Sequence, residues 1–217
     1  MGEAVQERRY LGLGKQRIEA LTDGVFSIAM TLLVFGIKIP DLSGPNISAR
    51  LPHELASLKP ELFAYGLSFI MLGIYWVGHH NQFHYIRRSD RVLLWLNLAF
   101  LMCLTFIPFS TAILGRYPGE RLSIIVYAGN LIVVGLLLYA IWWYATGGLR
   151  LVDHDIEPRL VAKAKTRILV APCVFCLSIP LSFWSVRLSL ILFLLVPILY
   201  ILPGRIDVHW SGRSEKK

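Results

Sequence analysis

Long uncharged stretches alternate with short charged clusters along this chain. Residues 24–37, 62–86, 92–115, 122–149, 168–186 and 188–204 contain no Lys, Arg, Asp or Glu. A helix needs about 20 mostly apolar residues to cross roughly 30 Å of hydrocarbon. The pattern therefore predicts an all-α integral membrane protein with six transmembrane helices. The first stretch reaches spanning length only with the turn that precedes it through Asp23. The last two are divided by Arg187 alone; together they are too long for one helix and fit a tight hairpin. Pro172, Pro180 and Pro197 fall inside these runs, where neighbouring helices can satisfy the freed backbone groups. Residues 1–16 read as a polar tail, 17–204 as one six-helix domain and 205–217 as a basic tail. Between the first two spans, Ser48 to Leu58 predicts a short surface helix.

Charge sets the orientation. Sixteen of the 22 Lys and Arg fall in the segment through Arg17, the loops after the second and fourth spans, and the C-terminal tail; the alternate connections hold six. The excess of Lys and Arg in cytoplasmic loops then places both termini in the cytoplasm. An even number of spans requires the same.

Composition narrows the class. The chain is 55% hydrophobic and 17% charged, against about 25% charged for ordinary soluble domains. That excludes a disordered chain and argues against a soluble one. Cys103, Cys173 and Cys176 lie in apolar runs and are too few for a disulfide framework. The net charge of +8 fits basic loops facing anionic lipid, and the tail Arg205 to Lys217 fits lipid headgroups better than nucleic acid. No glycine-rich nucleotide motif and no Ser-His-Asp arrangement is present, so neither a cofactor nor an enzymatic activity is expected.

The candidate chemistry lies at one level of the expected bundle. Asp23 stands inside an apolar span, with Arg17 before it and the hydroxyl of Thr22 beside it. An acid in hydrocarbon is costly and calls for partners. The second span ends with Trp76, His79 and His80, and the third begins with Asn97 in its first turns. These residues share the cytoplasmic depth of three consecutive helices. Their expected role is structural, clamping the helix ends by hydrogen bonds. A proton-coupled role or a secondary transporter built on Asp23, His79 and His80 is the alternative. A zinc or haem site fits poorly, because adjacent histidines on one helix diverge by about 100°. On the first helix, Asp23, Ser27, Met30 and Val34 share one face. Gly24, Ile28, Thr31, Leu32 and Phe35 share another, about 120° away. Periodicity leaves open whether that second face meets lipid, protein or an ion path.

Residues 17–111 resemble a known family. Arg17, three residues, then Leu21-Thr22-Asp23 is similar to the first-helix signature Arg, three residues, Phe-Ser-Asp of the transmembrane protein 175 potassium channels. Leu21 stands at the family's Phe, and Thr22 keeps the hydroxyl of its Ser. Trp76-Val-Gly-His79-His80 resembles the second-helix motif, and the stretch from Asn97 through Pro108 to Thr111 the third helix. The resemblance implies a homotetrameric cation channel of the plasma membrane. Four copies of the first helix would line its pore, with potassium as the permeant ion and no bound cofactor. It further implies that Ile28, Thr31, Leu32 and Phe35 face that pore, and that apolar rings gate and filter with moderate selectivity.

Overall fold

The computed structural model describes residues 14–42 and 46–201. The expected tails, 1–16 and 205–217, lie outside the described residues except for 14–16. Within them the chain is all-α. Helix α1 (Lys15–Leu32) runs into a 3₁₀ turn, Leu33–Gly36. A short helix, α2 (Ile47–Ser57), follows, then α3 (Lys59–Tyr85), α4 (Arg91–Thr105), α5 (Ile107–Arg116), α6 (Arg121–Thr146), α7 (Pro158–Leu181) and α8 (Val186–Ile201).

Among the described residues, four helical segments are long and apolar enough to cross a membrane: 15–36, 59–85, 91–116 and 121–149. The first begins at Lys15, nine residues before its uncharged run and earlier than the one turn through Asp23 expected to extend it. The reason is local: Lys15 and Glu19 pair at i, i+4 with N–O 3.8 Å, so charged residues extend the helix. The third expected span is not continuous. It breaks at Phe106, between α4 and α5, just before Pro108. α7 likewise starts ten residues before its apolar run, so Arg159, Lys163, Lys165 and Arg167 lie on its first turns. α7 and α8 form the expected tight hairpin, closed by Ser189, whose hydroxyl donates to the Ser178 carbonyl at 2.8 Å. The surface helix expected over 48–58 forms as α2 and buries no residue.

The core is one apolar cluster with Phe26, Met71, Phe100, Tyr127, Leu131 and Phe175 near its centre. α6 is its axis, packing against α4, α5 and α7. The close α6–α7 approach depends on Gly135, where a Cβ would lie 2.6 Å from the Cγ of Pro172. At one end the α3–α4 and α6–α7 loops are joined. Ile86 and Val152 form a β-bridge, Arg87 pairs with Asp153 at 3.1 Å, and the Tyr144 hydroxyl donates to Asp90 at 2.6 Å. Asp90 also caps α4 by accepting from the Leu93 N–H.

Candidate functional site

α1 is held along one narrow stripe. Ile18, Thr22, Phe26, Ala29 and Leu33 are buried, and their spacing of three and four residues puts them on one side of the helix. The face carrying Gly24, Ile28, Thr31 and Phe35 lies about 140° away at 100° per residue. It is uncovered within the protomer: Ile28 is 58% exposed, Leu32 44% and Phe35 79%. The Thr31 hydroxyl donates to the Ile28 carbonyl at 2.8 Å. Met30 is half-buried against the core, unlike its wheel neighbours Asp23, Ser27 and Val34, which are exposed.

The polar residues expected at one level do meet there, but as two separate groups. The buried group runs across three helices. Asn97 of α4 donates to the Thr22 hydroxyl of α1 at 3.1 Å, and its carbonyl oxygen lies 2.9 Å from His79 Nε2 of α3. Since that oxygen can only accept, Nε2 carries the proton. The His79 ring is fixed by stacking on Phe83 and Phe100, centroids 4.1 and 5.7 Å away. The exposed group joins two helices. The Trp76 indole donates to Asp23 at 2.8 Å, and its ring stacks on His80 at 5.7 Å. His79 and His80 thus turn to different sides, one into the core and one outward. Arg17 is exposed and joins neither group among the described residues. No three His, Cys, Asp or Glu side chains converge as a metal site among the described residues.

A second buried polar set links α3 to α5 and α6 and was not anticipated. Thr111 of α5 donates to Ser68 of α3 at 2.7 Å, and Ser68 lies 3.0 Å from the Tyr127 hydroxyl of α6. Tyr75 donates to the Leu131 carbonyl at 2.7 Å and Gln82 to the Leu138 carbonyl at 3.1 Å. Glu61, Ser68, Tyr75 and Gln82 recur every seven residues along α3. That spacing returns a helix to nearly the same face and is visible in the sequence.

Residues 17–108 match the family described as "Endosomal/lysosomal potassium channel TMEM175". A protein named a potassium channel in Streptomyces collinus is 36% identical over 178 residues, which cover 80% of this chain and 85% of that one. The chain belongs to the TMEM175 family. A second TMEM175 relative, named a potassium channel in Chamaesiphon minutus, is 35% identical over 176 residues, 80% of this chain and 86% of that one. The fold agrees with the crystal structure of a lysosomal potassium-selective channel TMEM175 homolog from Chamaesiphon minutus. The TM-score is 0.76 at 32% identity, over 87% of this chain and 96% of that one. The family is one of ion channels, not enzymes.

Proposed function

We propose that this chain is one protomer of a homotetrameric channel that conducts potassium in preference to sodium across the plasma membrane. Six spans cross the bilayer, with α7 and α8 as the fifth and sixth, and both termini are cytoplasmic. The 16 described residues of α8, Val186–Ile201, make about 24 Å of helix. Basic residues on the first turns of α7 reach the headgroups by extending their stems. Four copies of α1 surround the ion path. Ile28 forms the main constriction, Thr31 supplies a ring of hydroxyls, and Leu32 and Phe35 add apolar layers.

The observation that carries this reading is the uncovered face of α1. A helix attached by a single stripe presents apolar side chains on the opposite side, next to a small residue and a hydroxyl. Rings of such side chains exclude water when narrow and force a permeating cation to shed its own. Potassium loses water at lower cost than sodium, so selectivity arises without a cage of carbonyls and is moderate. The buried group of Thr22, His79 and Asn97 then clamps three helices, and Asp23 with Trp76 continues the clamp toward the uncovered side. Purified protein in liposomes, under opposed potassium and sodium gradients, tests the function. Flux with a reversal potential on the potassium side is expected. Sealed liposomes that contain assembled protein and pass neither ion overturn it.

A further inference from the structure

The break in the third span is occupied by a side chain from another helix. Pro108 has no N–H, and its ring crowds the carbonyl of residue 104, so the rung between these two residues is missing. Asn130 of α6 reaches into the gap. Its amide is oriented by its neighbours: the nitrogen donates to the Cys103 carbonyl at 3.0 Å, and the oxygen accepts from the Ile107 N–H at 3.2 Å. The reverse orientation would set carbonyl against carbonyl and N–H against N–H. Cys103 C=O and Ile107 N–H are the two ends of one i to i−4 rung. The amide replaces that rung, and insertion of this kind bends a helix. The Ser110 hydroxyl, 3.1 Å from the amide oxygen and 3.0 Å from the Ile107 carbonyl, divides its one proton between them.

The two halves of the third span hold different parts of the first helix. α4 carries Asn97 against Thr22 and Phe100 against Phe26, centroids 6.0 Å apart. α5 packs on the 3₁₀ turn Leu33–Gly36, where a Cβ on Gly36 would lie 3.4 Å from that of Ala112. The junction at Phe106 therefore links the support of the last turn of the first helix to that of its beginning. We propose that Asn130 is a positioning residue for ion conduction: inserted in the ladder of the third span, it fixes the bend that supports the turn carrying Phe35. The proposal rests on the pore reading of the first helix.

Reconstituted Asn130→Leu and Asn130→Asp proteins test it, with wild type measured first. If wild type passes no ions, the pore reading fails before Asn130 is examined. Given wild-type conduction, Asn130→Leu keeps the branched shape and removes both bonds. It is expected to assemble and to change the potassium-to-sodium permeability ratio by about three- to tenfold, the equivalent of a lost hydrogen bond. Assembled Asn130→Leu with a wild-type ratio overturns the proposal, because a merely structural role lowers melting without moving a reversal potential. Should Asn130→Leu fail to assemble, Asn130→Asp decides. A protonated carboxyl reproduces both bonds, whereas the carboxylate cannot donate to Cys103. Its permeability ratio is expected to vary with pH where that of wild type does not, matching wild type in acid and departing from it once the carboxyl ionises. A ratio that tracks wild type from acid up to about pH 10 overturns the proposal.

Discussion

Asn97 is the side chain on which the junction of three helices turns. It is fully buried, and both ends of its amide are used: the nitrogen toward Thr22 and the oxygen toward His79. Asn97→Ala leaves two buried polar partners without a bond, and each stranded group costs about 1–3 kcal/mol. Asp23→Ala removes one bond on the exposed side, where water replaces the carboxylate, and Arg17→Ala removes none among the described residues. The expected order of destabilisation is therefore Asn97, then Asp23, then Arg17. Thermal melting and size-exclusion chromatography of the three variants in detergent check it; Arg17→Ala melting below Asn97→Ala would refute the order. Depth along the spans was enough to assemble this group from sequence, because charge bias and span length fix which ends lie together. What depth does not contain is rotation. Trp76 and His80 turn outward while His79 turns inward, and only the packing of α3 against Phe100 decides that.

At the scale of helices, close approach is set by single glycines. Gly135 admits Pro172, and a methyl there would lie 2.6 Å from the ring. Gly135→Ala is expected to push α6 from α7 at roughly 1–3 kcal/mol, the usual cost of overpacking. Gly129, on the same helix, has nothing within 4 Å of an added Cβ in the protomer. Gly129→Ala should instead be neutral or stabilise by up to about 1 kcal/mol through helix propensity. Melting of the two variants side by side tests the contrast; equal effects would mean that α6 and α7 do not meet as described. Helix existence and order were legible in the uncharged runs, but the boundaries were not. Lys15, Glu19 and Arg159 continue helices into polar sequence, because a helix needs an apolar face only where it is covered. Proline did not mark the break either. Pro172 and Pro180 lie within the unbroken α7, whereas Pro108 accompanies a break. At the break sits Asn130, 22 residues further on and on another helix, and no local pattern near Pro108 reveals it. The polar row Glu61, Ser68, Tyr75 and Gln82 was legible in principle from its period. Its partners Thr111, Tyr127 and the α6 carbonyls were not, since they depend on which helix α3 faces.

For the whole molecule, the protomer leaves its first helix half-built into a structure. A free-standing membrane protein would bury the face of α1 that carries Thr31 and Gly24 or fill it with large side chains against lipid. Here the face alternates a small residue, Ile28, a hydroxyl, Leu32 and Phe35, and it is open along its length. In the proposed tetramer, each position of that face would become a ring, so one substitution would be multiplied by four in the ion path. On that reading, Ile28→Asn replaces an apolar ring by four amides, which would hold water where the wild-type ring would exclude it. Ion flux is expected to rise, and the preference for potassium over sodium to fall, because a hydrated cation no longer has to shed its shell. Met30→Asn is the matching control. Its side chain is half-buried against the core, so the amide is placed among apolar groups at about 1–3 kcal/mol on mutational scales. That variant should express poorly and melt early, yet its assembled fraction should keep the wild-type reversal potential. Bi-ionic potassium and sodium recordings separate the two. Assembled Ile28→Asn with unchanged flux and unchanged reversal potential would mean that Ile28 faces lipid or a neighbouring helix, and the ion path would have to be sought elsewhere in the assembly.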